Sequence, residues 1–172
     1  MRVKRNWKTI RASLVVLGLA ATQPWQGVLG ATPVSLEAEI VIAAGDIGEC
    51  RSGSFVGTPA QATAKLVESI PGTVLALGDL VYPNGKAAEF VRCYEPTWGR
   101  FKQRTRPVPG NHEYNTPGAK PYYDYWGERA GPRGSGFYSF DLGAWHVVAL
   151  NSNIVNTPLG KTQEVWLKAN LA

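Results

Sequence analysis

Three short segments of the sequence carry polar side chains that could bind a metal ion. In each one, an apolar or extended stretch reaches a glycine and is followed at once by oxygen or nitrogen donors: Ile40–Asp46, Val74–Tyr82 and Pro107–Glu113. Short apolar runs are typical of buried strands, and open α/β sheets keep their chemistry at the carboxyl ends of their strands. The three segments could therefore converge on one point. Oxygen-rich convergence of this kind suits metal ions.

The order of the donors resembles that of a known enzyme family. We name the donor motifs the first, second and third blocks: Gly45-Asp46, Gly78-Asp79-Leu80-Val81-Tyr82 and Gly110-Asn111-His112-Glu113. In this order they are similar to the first three signature blocks of the calcineurin-like metallophosphoesterases. Tyr82, together with Gly48 where many relatives have a metal-binding histidine, resembles the purple acid phosphatase branch. The resemblance runs from about Ala38 to the end of the chain and matches the N-terminal half of the family pattern only.

The resemblance implies phosphoester hydrolysis at a binuclear metal site. One carboxylate must bridge the two metals, and the resemblance assigns this bridge to Asp79. Asp46 and Tyr82 would bind the first metal, and Asn111 would bind the second through its side-chain carbonyl. A phenolate ligand favours a hard, trivalent metal, so the implied cofactors are iron with zinc, manganese or a second iron. Such a site activates a water molecule and neutralises the phosphoryl oxygens of a phosphoester substrate.

Two residues of the third block are implied to be catalytic. His112 would face the leaving group, as a general acid or as a positive charge beside the phosphoryl oxygens. Glu113 would hold the imidazole ring in the useful tautomer. Each motif alone has a simpler interpretation, since an aspartate after a strand is most often a turn former or a helix cap. The three blocks in order favour the metal site.

Apolar periodicity and turn residues predict the elements that position the blocks. We predict strands, helices and a hairpin in this order: a strand over 39–44 buried on both faces, a helix opened by Thr58-Pro59, a strand over 73–77, a helix over 86–94, hairpin strands over 137–141 and 145–150, and a helix from Gln163. Alternating strands and helices imply right-handed crossovers. The predicted fold class is α/β, a mostly parallel sheet flanked by helices with a C-terminal hairpin. The resemblance implies the front half of a four-layer αββα sandwich.

Several polar or aromatic features outside the blocks have two interpretations. Residues 115–136 form an aromatic cap over the sheet or, alternatively, a substrate lid. His146 lies in an apolar strand, which favours a structural histidine, and Asn151 at its end favours a turn or cap over a place in the cleft. Four alternating basic residues precede the third block: Arg100, Lys102, Arg104 and Arg106. They could attract an anionic substrate, but a solvated edge strand or loop is the simpler interpretation.

The positive charge of the chain is concentrated at its start. The formal net charge is +5, but five of the 18 basic residues and none of the 13 acidic residues lie before residue 12. The remainder is neutral, so no nucleic-acid-binding face is expected. A basic opening and an apolar run from Ala12 to Ala21 predict a signal peptide or leader over residues 1–31, too short for a stable membrane span. We expect a secreted or periplasmic protein, with an uncleaved membrane anchor as the alternative.

The two cysteines could pair if the chain is exported. An oxidising compartment would let Cys50 and Cys93 form a disulfide, whereas two unrelated buried thiols are the alternative.

The histidine content departs from the family pattern. The family continues with two later histidine blocks, whereas this sequence contains only His112 and His146. We therefore predict that residues 32–172 are the N-terminal part of a metallophosphoesterase domain, with a missing C-terminal half or self-association covering its open sheet. On this interpretation the motifs encode phosphoester hydrolysis, but the chain alone is an incomplete enzyme. The alternative is a non-catalytic secreted relic that binds a partner through its Tyr- and Trp-rich segment. Neither a serine hydrolase elbow nor a dinucleotide-binding glycine motif is present.

Overall fold

The computed structural model describes residues 38–50 and 55–172, together with the backbone of the strand β1, Leu14–Leu17. The rest of the predicted leader lies outside the described residues. The later strands are β2 (Val41–Ala44), β3 (Gly48–Glu49), β4 (Thr73–Leu77), β5 (Val81–Tyr82), β6 (Thr105–Val108), β7 (Tyr138–Leu142) and β8 (Trp145–Ala149). The α-helices are α1 (Pro59–Glu68), α2 (Ala87–Glu89), α3 (Lys120–Trp126) and α4 (Pro158–Asn170). None of the described helices is long and apolar enough to cross a membrane.

A parallel sheet in the order β2-β4-β6 carries the three blocks. Ala44 on β2 lies opposite Ala76 on β4, and Leu77 lies opposite Val108 on β6. The carboxyl ends of the three strands therefore meet at one edge of the sheet. This arrangement, with its flanking helices and the antiparallel hairpin β7–β8, confirms the predicted mixed α/β fold.

The strand β2 is more exposed than the sequence predicts. Ile40 and Val41 are 43% and 46% exposed, whereas the prediction placed this strand in the interior on both faces. Among the described residues β2 pairs with β4 alone, so it is an edge strand of the parallel sheet. The central strand β4 is the buried one, with Val74, Leu75 and Ala76 in the interior. An apolar run by itself does not show whether a strand has one neighbour or two.

The helix α1 begins as predicted and is tied to the segment before β6. The Thr58 hydroxyl accepts a hydrogen bond from the Gln61 amide at 3.3 Å, which is a helix N-cap. At the other end, the Arg104 guanidinium donates to the carbonyl oxygens of Val67 at 2.9 Å and Gly72 at 2.7 Å. Arg104 thus stabilises a helix end, and Arg106 lies over the Phe140 ring. These two arginines hold elements of the fold together. Their contacts explain their presence without a role in attracting the substrate.

Aromatic side chains form much of the core on one side of this sheet. The predicted helix over residues 86–94 is present as α2 followed by the π-helix Phe90–Tyr94. On α3, Tyr122, Tyr123 and Trp126 are buried, and Trp126 packs edge to face against Tyr94 with ring centroids 5.7 Å apart. The predicted aromatic cap is therefore confirmed.

The hairpin β7–β8 lies between the parallel sheet and α4. The Tyr138 hydroxyl donates to the Pro107 carbonyl oxygen of β6 at 2.8 Å. The Asn170 side chain of α4 donates to the Ser139 hydroxyl at 3.0 Å. On its other edge β8 pairs with β1 in an antiparallel register, with Leu14 opposite Ala149.

His146 joins the hairpin to α4, as a structural histidine would. Its Nε2 lies 2.9 Å from Asn170 Oδ1, and its Nδ1 lies 2.7 Å from Asp141 Oδ1. Both neighbours are acceptors, so the imidazolium, which donates from both nitrogens, suits this position better than the neutral ring.

We expect the pKa of His146 to lie above its ordinary value of 6.5, first because of Asn170 and then because of Asp141. A raised folded pKa contributes stability below pH 6.5 that is lost as pH rises through the folded pKa. An NMR titration of the imidazole protons measures this value, and Asp141→Asn should lower it. An Asp141→Asn variant with the wild-type pKa would contradict the assignment.

Candidate metal site

The first and second blocks run side by side beyond the ends of β2 and β4. The Asp46 amide donates to the Gly78 carbonyl at 3.2 Å, and the Ile47 amide donates to the Asp79 carbonyl at 3.0 Å. The pairing then continues into the short parallel strands β3 and β5, where Gly48 lies opposite Val81. The two aspartates are therefore held at matching positions on adjacent segments of the chain.

Both aspartates have a left-handed backbone conformation. The φ angles of Asp46 and Asp79 are 54° and 49°. Positive φ is uncommon outside glycine and costs about 1–3 kcal/mol, although aspartate tolerates it better than most residues. Such strain clusters at functional sites. Nothing in the local sequence patterns indicates this conformation.

The side chains of Asp46, Asp79 and Tyr82 meet at one point. The Tyr82 hydroxyl donates a short hydrogen bond to Asp46 Oδ1 and lies 3.2 Å from Asp79 Oδ2. Burial raises the pKa of Tyr82, and the hydrogen bond to Asp46 and the charge of Asp79 raise it further. The burial of the phenol and the two carboxylates thus shift its pKa in the same direction. Three of the four predicted ligands are brought together in this way.

The donor set fits a hard cation. Neither Asp46 nor Asp79 pairs with a lysine or arginine among the described residues, so within that part of the chain the two carboxylates have no basic partner. Carboxylate and phenol oxygens suit hard metal ions better than soft ones. In the described part of the chain, no group of three or more His, Cys, Asp or Glu side chains is placed to hold a metal. The phenol is therefore the third donor of the cluster.

The third block contacts the cluster through its backbone. The His112 amide donates to Asp79 Oδ1 at 2.9 Å. A Cβ atom on Gly110 would lie 2.1 Å from the Asp79 amide nitrogen, so only glycine allows this approach. The side chain of Asn111, the fourth predicted ligand, is exposed and makes no hydrogen bond to any described residue. The structure thus places Asn111 beside the cluster without joining it to the other three ligands.

The His112 ring is held by Tyr82 of the second block and by Pro83, the residue after that block. Its Nδ1 lies 2.6 Å from the Pro83 carbonyl oxygen, and its ring centroid lies 4.3 Å from that of Tyr82. A carbonyl oxygen only accepts hydrogen bonds, so Nδ1 carries a proton and Nε2 remains for other partners. The Pro83 carbonyl thus has the role that the family resemblance implies for Glu113.

Glu113 is fully buried and bonds to backbone amides. Its Oε1 accepts from Leu80 at 2.9 Å and Val81 at 3.2 Å, and its Oε2 accepts from Gly110 at 2.7 Å. Burial raises the pKa of Glu113 to about 7, the amides of Gly110 and Val81 oppose this rise, and the charge of Asp79 adds to it. The predicted contact with His112 is wrong, because the carboxylate faces the second block instead.

Asn151 and the nearby Asn153 contact the residues on either side of the third block, and the sequence did not reveal these contacts. Its Oδ1 accepts from the Asn153 amide at 3.1 Å, confirming the predicted cap, and its Nδ2 donates to the Tyr114 hydroxyl at 2.8 Å. Asn153 in turn donates to the Pro109 carbonyl at 3.1 Å. The polar residues after β8 were the sequence signal that could have indicated this supporting role, but their hydrogen-bond partners lie far away in sequence.

Cys50 and Cys93 form a disulfide, which settles the alternative that the sequence left open. It joins the residue after β3 to the π-helix and closes a loop with a sequence separation of 43 residues. This loop contains the second block, while Asp46 lies just before it.

A comparison with protein families gives one match. The family model described as Metallophos, calcineurin-like phosphoesterase, matches residues 40–169. This range includes the three blocks, the hairpin and most of α4. Neither the curated proteins nor the solved structures give a significant match to this chain.

Proposed function

Because the chain belongs to the calcineurin-like phosphoesterase family, we propose that it hydrolyses phosphoesters with a metal ion held by Asp46, Asp79 and Tyr82. The observation that carries this proposal is the convergence of two carboxylates on one phenol at the carboxyl ends of parallel strands. That edge is where open α/β sheets bind ligands.

The residues of the cluster have separate tasks in this reaction. A bound metal ion supplies a more acidic water molecule and compensates the negative charge of the phosphoryl oxygens. Asp79 orients the Tyr82 hydroxyl on one side and the His112 amide on the other. When the bond from phosphorus to the leaving oxygen breaks, that oxygen needs a proton. Nε2 of His112 is our candidate donor when the ring is an imidazolium, because the other proton, on Nδ1, is donated to the Pro83 carbonyl.

The finer assignments extend the same proposal. We place Asn111 on a second metal ion and keep iron with zinc, manganese or iron as the expected pair, in the manner of the purple acid phosphatases. The oxygen donors support iron or manganese for the ion at Tyr82. The αββα arrangement is supported by the hydrogen bonds of the hairpin to β6 through Tyr138 and to α4 through Ser139. The disulfide supports export, since disulfides persist in oxidising compartments.

The direct test is hydrolysis of an aryl phosphate by the purified chain with iron, manganese or zinc added in turn. We expect turnover that a chelator abolishes and metal restores, at rates below those typical of enzymes because the sequence contains only His112 and His146. With iron(III), a visible absorption band from a tyrosinate ligand should appear in the wild type and be lost in Tyr82→Phe. Absence of both metal binding and turnover would contradict the proposal.

The alternative is a non-catalytic domain that binds a partner through its aromatic segment. The burial of Tyr122, Tyr123 and Trp126 argues against it, because these side chains pack into the core and leave little aromatic surface for a partner. Metal binding without turnover under all conditions of the assay would favour the alternative.

A further inference from the structure

Glu113 lies at the contact between the second and third blocks, which we call the seam. Its carboxylate accepts hydrogen bonds from Leu80 and Val81 of the second block and from Gly110 of the third. The side chain is 0% exposed, so water does not share in these bonds. One side chain therefore joins both blocks from the interior side, opposite the oxygen cluster.

The backbones at the seam touch without intervening side chains. Gly85, in the turn after the second block, has a φ of 64° and lies against the third block. A Cβ atom there would lie 2.5 Å from the Cα of Glu113 and 2.9 Å from the His112 carbonyl oxygen. No side chain fits between the blocks at this point, so small shifts of one block are transmitted to the other.

The three hydrogen bonds of Glu113 need an explanation, because a polar side chain is costly to bury unless its oxygens have partners. Among the described residues no lysine, arginine or histidine forms an ion pair with it. Its compensation comes from three backbone amides, two in one block and one in the other. A glutamate that served only to fill space could be replaced by an apolar residue at lower cost.

We propose that Glu113 is a positioning residue: its carboxylate fixes the second block against the third and thereby sets where Asp79 stands relative to Asn111 and His112. The link between the two blocks follows directly from the hydrogen bonds of Glu113. Its consequence for metal binding rests on the proposed function. The hydrogen bonds of Glu113 go to backbone amides of the two blocks, so we assign it an effect through the backbone.

The test compares Glu113→Gln with the wild type. Glutamine has the same shape but only one acceptor oxygen, so its amide group must face the N–H of one block. If the oxygen stays with Leu80 and Val81, the Gly110 amide loses its acceptor. We expect its hydrogen exchange to accelerate by about tenfold, since a buried amide that loses its acceptor no longer favours the closed state. Metal affinity should fall by roughly 10–100-fold, as for other residues that orient ligands indirectly.

Thr97→Val is the matched control. The buried Thr97 hydroxyl donates to the carbonyls of Cys93 at 2.7 Å and Tyr94 at 3.1 Å, away from the seam. We expect this variant to lose stability through its broken hydrogen bonds while metal affinity and the local exchange of Gly110 keep their wild-type values. A purely structural role for Glu113 would make the two variants behave alike, which would overturn the proposal.

The wild type gives an independent measurement if Glu113→Gln does not fold. The amides of Leu80 and Gly110 lie outside the strands, yet they should be protected from hydrogen exchange. Free exchange of these amides would overturn the proposal, as would a folded Glu113→Gln variant in which Leu80, Val81 and Gly110 all keep their wild-type exchange or in which metal affinity is unchanged. If the wild type binds no metal, the proposed function fails, while the exchange measurements still decide whether Glu113 ties the blocks.

Discussion

Replacing Asp79 with asparagine should reduce metal-dependent phosphoester hydrolysis by roughly 1,000-fold or more, the scale of losing a central electrostatic group. The Asp79 carboxylate contacts the Tyr82 hydroxyl through one oxygen and the His112 amide through the other. Asparagine removes the charge and replaces one acceptor with a donor. Either the phenol or the third block then loses its partner, and the cluster loses half of its carboxylate charge.

Steady-state hydrolysis of an aryl phosphate and equilibrium metal binding measure this effect together. Asp124→Asn is the matched control, because it makes the same chemical change at an exposed carboxylate paired with Lys120 and Arg133. We expect the control to keep wild-type activity and affinity. An Asp79→Asn variant that binds metal and turns over like the control would rule out the assigned cluster.

Removing the disulfide should lower the free energy of unfolding by about 4 kcal/mol, the value that loop entropy gives for a sequence separation of 43 residues. The bond joins the segment after the first block to the π-helix, and it closes a loop that includes the second block. Without it, the unfolded chain gains freedom, and the first block loses a covalent link to the core.

Denaturant unfolding of the wild type and of the double variant Cys50→Ser/Cys93→Ser measures this difference. Reducing agent should destabilise the wild type by a similar amount and leave the double variant unchanged, which separates loss of the bond from any effect of the serines. Coincident wild-type curves with and without reducing agent would show that the bond does not contribute.

Local patterns predicted the elements that carry the site. The apolar run Thr73–Leu77 is the buried central strand, Thr58-Pro59 starts α1, and the alternating residues around Gly143 form the hairpin. These features depend on residues close in sequence, where periodicity and turn chemistry act directly. The same patterns misjudged β2, because exposure depends on which strands lie beside it.

The fine geometry of the site followed from contacts that no local pattern contains. Glu113 was expected beside its neighbour His112, yet its partners Leu80 and Val81 are 33 and 32 residues away. The Pro83 carbonyl that holds the His112 ring is 29 residues away. A side chain buried at such a seam bonds to whichever backbone donors the fold brings there, and this cannot be deduced from its immediate neighbours.

The residues alone show which donors are present, in what order, and that each follows a strand or an extended segment. Together with the family resemblance, this was enough to name Asp46, Asp79 and Tyr82 as a group. How they meet depends on the left-handed turns at both aspartates and on the parallel register of their strands. Donor identity is a property of single residues, whereas the distance between donors is set by the packing of segments that lie far apart in the chain.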